Sequence, residues 1–340
     1  MRAVGYQLSL PIDDASALSD IELPRPVATG RDLLVEVRAV SVNPVDTKVR
    51  RRAAAEAGGW KVLGWDAAGI VVEAGPEATL FKPGDAVFYA GALGRQGTNA
   101  EFHLVDERIV GKKPATLNWA EAAALPLTAL TAWETLFDRL QVTQPVVGAA
   151  PAILIIGGAG GVGSIAVQLA RKLTSLTVIA TASRAETQQW VRDLGAHHVV
   201  DHSKPLAEQV KALGLGEPAF VFSTTNTDQH LGASAELIAP QGRFALIDDP
   251  ATLDISAFKR KSVSVHWELM FTRSMFETAD MEAQHVILDE VSGLVDSGEI
   301  RTTLAETYGP ITAANLRRAH SLLESGRARG KIVLEGFSPA

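Results

Sequence analysis

The stretch that decides the fold is Ile153-Leu154-Ile155-Ile156-Gly157-Gly158-Ala159-Gly160-Gly161-Val162-Gly163. An apolar run ends in a glycine-rich segment and a helix-forming sequence follows, which predicts a strand, a turn and a helix in that order. Glycines spaced as Gly-x-Gly-x-x-Gly allow a tight turn, close approach of the backbone to a pyrophosphate and close packing of helix on strand. The segment therefore predicts a dinucleotide-binding turn, with the contact residues Gly158, Gly160, Gly161, Val162 and Gly163.

Strands and helices continue to alternate after this turn. The alternation favours a dinucleotide-binding turn over an ordinary strand–helix turn that binds no ligand. The predicted strands are short and largely apolar: Ile153–Ile156, Thr177–Thr181, His198–Val200, Phe220–Phe222, Phe244–Ile247 and Ser262–Trp267. The predicted helices between them are 161–173, 185–194, 206–213 and 229–238. This alternation is typical of a doubly wound parallel sheet. We therefore predict an α/β fold in which residues 128–274 form a Rossmann dinucleotide-binding domain.

The first third of the chain has a different pattern, rich in short strands. The predicted strands are Leu34–Val40, Leu63–Glu73, Asp85–Tyr89 and Ala100–Val105, and turn signals such as Lys82-Pro83-Gly84-Asp85 separate them. A helix is predicted over 120–140. After the parallel strands, helices over 278–297 and 312–325 and strands over 301–307 and 331–334 form a return segment. We predict that residues 1–127 and 275–340 form a second, β-rich domain.

Composition excludes several classes of protein. The 340 residues are 46% hydrophobic and 21% charged, a balance that supports two globular domains. The net charge is −7 and no basic tract is present, so we expect no nucleic-acid partner. Because the chain has no cysteine, disulfides, thiolate nucleophiles and thiolate metal sites are excluded.

Neither a membrane span nor an export signal is indicated. Residues 140–170 carry no charge, but six glycines and two prolines break this stretch into a strand and a turn. The first 14 residues reach a proline and two aspartates before any long apolar core forms, unlike a secretory signal. We expect a cytoplasmic protein without a membrane partner.

The end of the second Rossmann strand indicates which dinucleotide is bound. A site for NAD usually has an acidic residue there that accepts hydrogen bonds from the ribose 2′-hydroxyl, but this chain reads Ala180-Thr181-Ala182-Ser183-Arg184. A hydroxyl followed by a guanidinium suits a 2′-phosphate, so Ser183 and Arg184 predict NADP(H). The alternative is that Arg184 only caps a surface loop. Ser223 and Thr224 follow another strand at the edge where ligands bind, and are further predicted cofactor contacts.

Local motifs accompany this order of domains. They are Val42-Asn43-Pro44-Val45-Asp46, Leu63-Gly64-Trp65-Asp66-Ala67-Ala68-Gly69, Lys82-Pro83-Gly84-Asp85, Leu125-Pro126-Leu127-Thr128-Ala129-Leu130-Thr131-Ala132-Trp133 and Gly330-Lys331-Ile332-Val333-Leu334. With the glycine turn they resemble the medium-chain dehydrogenase/reductase superfamily over nearly the whole chain. The resemblance implies that the β-rich catalytic domain is GroES-like, and the subgroup is similar to quinone-oxidoreductase-like proteins often called zinc-type alcohol dehydrogenase-like. We expect a small-molecule substrate and a homodimer.

The resemblance also identifies where zinc-binding members hold their metal. Those members have a Cys at the position of Asn43, a His at the position of Trp65 and a second Cys near Leu127. Zinc needs three protein ligands with nitrogen, sulfur or oxygen donors, and Asp46 and Asp66 alone cannot supply them. We therefore predict no metal site.

Without a metal as Lewis acid, a conjugated carbonyl is an easier substrate than an alcohol. Hydride adds to a quinone or to the β-carbon of an enone, and hydrogen-bond donors then support a delocalised oxyanion. By resemblance, Asn43 and Thr131 are the predicted catalytic residues, and Trp65 and Tyr89 line the substrate pocket. Structural roles are the alternatives: Asn43 can form a turn before Pro44, and Trp65 can be core packing.

The sequence thus predicts an NADPH-dependent, zinc-independent oxidoreductase that transfers hydride to quinones or α,β-unsaturated carbonyls. Two alternatives stay open. One is an alcohol or carbonyl dehydrogenase of the same superfamily. The other is a non-enzymatic NADPH-binding protein, because no titratable catalytic dyad is visible in the sequence.

Overall fold

A computed structural model of the chain describes residues 1–337 and divides into two units. Unit 1 consists of residues 1–130 together with the chain from Phe271 onward, and unit 2 is Thr131–Met270. The boundaries predicted from the sequence lie after residues 127 and 274. None of the described helices combines the length and the hydropathy needed to cross a membrane.

The chain begins in unit 1 with eight strands and three helices. The strands are β1 (Arg2–Tyr6), β2 (Ser19–Glu22), β3 (Asp32–Val42), β4 (Lys61–Val62), β5 (Ala67–Ala74), β6 (Ala86–Tyr89), β7 (Phe102–Asp106) and β8 (Val110–Lys112). The helices are α1 (Pro44–Arg52), α2 (Trp119–Ala123) and α3 (Pro126–Trp133). The boundary between the units falls inside α3.

Unit 2 is built on one sheet of six parallel strands. In chain order its elements are β9 (Ala150–Ile156), α4 (Gly161–Leu173), β10 (Thr177–Thr181), α5 (Ala185–Asp193), β11 (His198–Val200), α6 (Leu206–Ala212), β12 (Pro218–Ser223), α7 (Thr227–Leu237), β13 (Arg243–Leu246) and β14 (Ser264–Trp267). The strands lie in the order β11-β10-β9-β12-β13-β14. The predicted Rossmann sheet is confirmed, and its strand order reverses between β9 and β12, where such folds bind ligands.

The apolar pattern of β9 follows from its position in the middle of this sheet. Residues Ile153–Ile156 are all buried, because helices cover both faces of a doubly wound sheet. A strand with two buried faces reads as an uninterrupted apolar run rather than an alternating one. This explains why the fold-deciding segment lacks a polar residue until its glycines.

The return segment completes unit 1. Its elements are α8 (Thr272–Met275), α9 (Ala283–Asp296), β15 (Leu304–Thr307), α10 (Ala313–Glu324) and β16 (Lys331–Glu335). The main sheet of unit 1 has the order β15-β16-β3-β5-β6-β8, with β7 also paired to β3. Strand β16 is antiparallel to β3, with Ile332 opposite Val42. This pairing brings the start of β16 next to the segment that follows β3.

Three local differences from the sequence prediction have physical causes. Helix α1 was not predicted; it begins directly after Asn43, with Pro44 at its first position, where a missing N–H costs nothing. The predicted helix over 120–140 is divided at Pro126, and its last part is a π-helical segment, Glu134–Arg139. The predicted strand Leu63–Glu73 begins only at Ala67, after Gly64 with φ +106°.

Candidate active site

The glycine turn has the geometry of a pyrophosphate-binding turn. Gly157 has φ +78°, and Gly160 is the N-cap of α4. A Cβ atom on Gly163 would lie 2.7 Å from the Cα of Gly158, and one on Gly158 would lie 2.9 Å from the Cβ of Ala180. A Cβ on Gly160 would meet only the Gly157 carbonyl at 3.4 Å. Gly158 and Gly163 are therefore required by packing, whereas Gly160 leaves open space at the helix N-terminus, which favours an anion.

This difference gives a first prediction. We expect Gly160→Ala to fold normally, since its φ of −71° and ψ of 177° suit any residue. It should bind NADPH and NADH at least about tenfold more weakly, because the methyl group blocks approach to the pyrophosphate that both share. Gly163→Ala is the matched control and should instead lower the free energy of unfolding by about 1–3 kcal/mol through overpacking. Calorimetry and thermal melts separate the effects; unchanged NADPH affinity in Gly160→Ala would contradict the assignment.

Arg184 lies where the predicted 2′-phosphate contact should be, directly after β10 and at the start of α5. Its backbone N–H donates to Thr187 Oγ1 (3.2 Å), which fixes the start of the helix. Its guanidinium lies 3.4 Å from the Glu186 carboxylate, and 43% of the Arg184 side chain is exposed. An exposed ion pair of this kind contributes little to stability, so the guanidinium can exchange its partner for a phosphate at small cost.

The two residues predicted after β12 have different roles. Thr224 Oγ1 donates to the Ile156 carbonyl at the end of β9 (2.8 Å), so this residue bridges the strands on either side of the crevice. Ser223 is fully buried, and its hydroxyl lies 2.7 Å from Thr227 Oγ1. The Ser223 hydroxyl is thus engaged with Thr227, and its contact with the cofactor stays a prediction. A contact through Thr224 stays a prediction.

In unit 1, four polar side chains form a buried cluster that the sequence did not predict as a unit. Asp66 is fully buried; its Oδ1 accepts the Leu127 N–H (2.8 Å), and its Oδ2 accepts from Asn43 Nδ2 (2.8 Å). Lys331, only 3% exposed, donates to Asp66 Oδ2 (3.0 Å) and to the Val42 carbonyl (3.1 Å). It also donates to Asn43 Oδ1. All three ammonium hydrogens of Lys331 therefore have acceptors.

Asn43 is held on every side by this cluster. Its amide nitrogen donates to Asp66 and to the Ser41 carbonyl (3.3 Å), and its amide oxygen accepts from Lys331. The residue is 1% exposed. Both amide hydrogens already have acceptors, so the expectation that Asn43 itself donates to a substrate oxyanion is not supported in this arrangement. Its observed role is to join Lys331 to Asp66.

Asp46 is the fourth member, and its carboxyl is also buried. Its Oδ2 accepts the Asn43 N–H (2.7 Å). Burial raises the pKa of Asp46 to about 7, against the opposing effects of the Asn43 N–H and the Lys331 ammonium. Burial also raises the pKa of Asp66, again opposed chiefly by Lys331. The cation thus keeps two buried carboxyls closer to their ionised form.

Comparison with known proteins identifies the family. Residues 29–115 match the model of the alcohol dehydrogenase GroES-like domain, and residues 194–334 match that of a zinc-binding dehydrogenase. A zinc-type alcohol dehydrogenase-like protein of Staphylococcus aureus is 40% identical over 98% of this chain and 99% of its own. The chain belongs to the medium-chain dehydrogenase/reductase superfamily. It is therefore an oxidoreductase with a nicotinamide cofactor.

Two solved structures are similar to this dehydrogenase/reductase over nearly their whole length. A protein of Rhizobium etli, provisionally named a zinc-dependent alcohol dehydrogenase, has a TM-score of 0.98 and 68% identity, covering 100% of this chain and 99% of that one. The quinone oxidoreductase of Coxiella burnetii has a TM-score of 0.79 and 25% identity, covering 98% and 99%. The expected fold and family are confirmed, including the GroES-like domain.

The residues of this dehydrogenase/reductase do not fit the zinc that three of these names imply. The described residues, 1–337, contain no group of three or more His, Asp or Glu side chains that could hold a metal ion. Of the three family ligand positions, Asn43 is committed to Lys331 and Asp66, Trp65 is an indole, and Leu127 offers only a backbone N–H. A lysine ammonium against one of these positions also repels a dication.

The other predicted site residues are placed as follows. Trp65 is 1% exposed, donates to the Ala92 carbonyl (3.2 Å) and packs edge-on against Phe271. Tyr89 is fully buried and stacks on His103, whose pKa burial lowers to about 4. Neither ring exposes surface for a substrate, so their pocket role stays a prediction. Thr131 lies in α3, and its carbonyl accepts from Thr135 Oγ1 (2.7 Å).

Proposed function

We propose that this protein is an NADPH-dependent oxidoreductase that needs no zinc and transfers hydride to quinones or α,β-unsaturated carbonyls. The observation that carries the proposal is the Lys331–Asp66–Asn43 cluster, which places an ammonium against a position where zinc-binding members have a metal ligand. Without a Lewis acid to form an alkoxide, alcohol oxidation at neutral pH is disfavoured. Reduction of a conjugated carbonyl is favoured instead, because its oxyanion is delocalised. Similarity to a quinone oxidoreductase agrees with this substrate class.

The chain's own residues divide the work as follows. Gly158, Gly160, Gly161, Val162 and Gly163 present the N-terminus of α4 to the pyrophosphate, and Ser183 and Arg184 hold the 2′-phosphate. When bound, the nicotinamide supplies the hydride. Thr131 orients the nicotinamide, and Asn43 has a supporting role in which it joins Lys331 to Asp66. Solvent delivers the final proton, so we assign no essential acid or base.

A substrate series tests the proposal. We expect NADPH oxidation with quinones and enones, without added metal and insensitive to a chelator. Faster oxidation of simple alcohols with NADP⁺ than reduction of enones would favour the alternative of an alcohol dehydrogenase. Tight NADPH binding without turnover on any carbonyl would favour a non-enzymatic NADPH-binding protein.

Metal analysis provides a separate prediction. After dialysis against zinc-containing buffer and then metal-free buffer, we expect well below one zinc per chain, because the family ligand positions hold Asn43, Trp65 and Leu127. The S. aureus relative offers a parallel sample for the same protocol. One tightly held equivalent, with activity lost on chelation and regained with zinc, would overturn zinc independence.

We also propose a homodimer formed through the edge of the parallel sheet. Strand β14 ends the sheet, and Trp267 and Leu269 beside it are 58% and 50% exposed. Exposed apolar residues on an unpaired strand edge suit a second copy related by a two-fold axis. We expect a dimer in sedimentation velocity and a shift to monomer in Leu269→Lys, with Val147→Lys, exposed at the surface of the same unit, as control. A monomeric wild type at micromolar concentration would contradict the proposal.

The net charge of the protein indicates which other partners are disfavoured. A net charge of −7 disfavours nucleic acid and anionic membranes, so we propose a cytoplasmic enzyme whose partner is a small carbonyl compound or quinone.

A further inference from the structure

Two histidines from opposite halves of the parallel sheet meet near its carboxyl edge. His202 follows β11, in the half that contains β10, whereas His230 lies in the first turns of α7, which follows β12. Their ring centroids are 6.1 Å apart, and the rings are inclined at 57°. Because the strand order reverses between β9 and β12, residues that meet from the two halves at this edge border the nucleotide crevice.

A hydrogen-bonded chain connects His202 to the glycine turn. Thr181 Oγ1, at the end of β10, accepts the Gly157 N–H (2.9 Å) and lies 2.9 Å from His202 Nδ1. A hydroxyl that accepts from Gly157 keeps its own hydrogen for the imidazole, which favours the His202 tautomer with hydrogen on Nε2. His202 is thus hydrogen-bonded to Thr181. Thr181 lies two residues before Ser183, the first of the predicted 2′-phosphate contacts.

Three ring nitrogens of the pair take part in no hydrogen bond within the part of the chain that the structure describes. Among residues 1–337, no hydrogen bond reaches His202 Nε2 or either ring nitrogen of His230. Both residues are only partly exposed. Two partly buried imidazoles with open donor atoms, side by side at a ligand-binding edge, have the form of an incomplete anion site.

Burial keeps the pair neutral, and nearby carboxylates partly oppose this effect. Burial lowers the pKa of both histidines; Asp201 opposes this for His202. For His230, the neighbouring His202 lowers the pKa further, while Asp228 and Asp248 raise it. A phosphate dianion at the pair would favour the protonated rings.

The other charged groups on the elements around the pair are already engaged. Lys204 lies 3.5 Å from the Asp201 carboxylate, and Asp248 accepts the Thr227 N–H (2.9 Å). Arg184 is paired with Glu186 at the start of α5. No cation among these is committed to the histidines themselves.

We propose that His202 and His230 bind a phosphate group of the bound dinucleotide, the 2′-phosphate of NADP(H), and make its affinity depend on pH. The proposal rests on the NADP(H) assignment above and adds a second, titratable contact to Arg184. The same chemistry could serve the pyrophosphate, which NADH also carries, so the ligands used in the test must distinguish the two phosphates.

The test measures binding, not turnover. NADPH, NADH, 2′,5′-ADP and 5′-ADP are titrated calorimetrically at pH 6 and pH 8 into wild type, His202→Gln, His230→Gln and the control His198→Gln, a histidine at the opposite end of β11. Since a phosphate monoester gains its second charge near pH 6 by itself, variant and wild type are compared at each pH. We expect roughly tenfold weaker binding of NADPH and 2′,5′-ADP to either pair variant at pH 6, and a smaller loss at pH 8. NADH, 5′-ADP and His198→Gln should show no such loss.

Histidine NMR gives an independent readout. Addition of 2′,5′-ADP should raise the pKa of His202 and His230, whereas 5′-ADP should not. Equal losses for NADH and NADPH would place the pair at the pyrophosphate and overturn the 2′-phosphate assignment. If wild type prefers NADPH and the variants bind like wild type at both pH values, the inference is wrong while the proposed function stands. A wild type that prefers NADH would instead defeat the NADP(H) proposal.

Discussion

Replacing Lys331 by methionine is expected to lower the free energy of unfolding by about 3–5 kcal/mol, the typical cost of removing one partner of a buried ion pair. Methionine fills a similar volume, so the loss reports the charge rather than a cavity. Lys331 is 3% exposed and Asp66 is fully buried, which leaves no water to replace the ammonium. The carboxylate would keep only the Asn43 amide and the Leu127 N–H as donors.

Urea denaturation followed by circular dichroism measures this loss, and a double variant is the matched control. In Lys331→Met/Asp66→Asn no buried carboxylate is left uncompensated, so part of the stability should return. Lys331→Arg tests whether charge alone suffices. A loss below about 1 kcal/mol for Lys331→Met would mean that the pair is worth no more than an exposed one.

The same variant should show a characteristic dependence on pH. Burial already raises the pKa of Asp66 above its ordinary value, and loss of the ammonium raises it further. An acid whose folded-state pKa is raised binds its proton more tightly in the folded state, so stability falls as pH rises from the unfolded value to the folded one. The difference between wild type and Lys331→Met should therefore be smallest in acid and largest at neutral pH and above.

The parallel sheet could be predicted because its signals are local. Helix α4 and strand β10 have the predicted bounds, Gly161–Leu173 and Thr177–Thr181, since each carries its own pattern and is bordered by clear turn residues. The positions of Ser183 and Arg184 could be predicted for the same reason, because both residues come shortly after β10. Helix α1 lacks such a pattern: Pro44–Arg52 is mostly polar, and its start depends on the Asn43–Asp46 hydrogen bonds.

The buried cluster could not be predicted because it depends on distant pairing. Lys331 meets Asn43 only after β16 has paired with β3, almost the full length of the chain away. One signal was present: charged residues inside apolar segments, Lys331 before Ile332 and Asp66 before Ala67, need partners if those segments are buried. The contact between His202 and His230 could not be predicted either, because it depends on the order of the strands in the sheet. The sequence predicted a doubly wound parallel sheet but not that order.

Arg184→Ala is expected to weaken NADPH binding by about 1–3 kcal/mol, or roughly 5- to 150-fold, and to leave NADH nearly unchanged. The guanidinium is the only cation of the Ala180–Arg184 segment, and a charged, forked donor matches the oxygens of a 2′-phosphate. NADH has a hydroxyl instead of a phosphate at the 2′ position, so removal of Arg184 takes no contact with a dianion away from it. Stability should not change, because the exposed pair with Glu186 contributes little.

Calorimetric titration of both dinucleotides measures this change in selectivity, and Arg192→Ala is the matched control. Arg192 lies in the last turn of the same helix, so its removal changes net charge equally but not the site. Lowering ionic strength should enlarge the effect of Arg184→Ala more than that of Arg192→Ala, since a contact charge responds more strongly than a distant, screened one. Equal weakening of NADH and NADPH by Arg184→Ala would mean that the residue supports the fold of the crevice rather than the 2′-phosphate, and selectivity would then have to reside elsewhere at this edge.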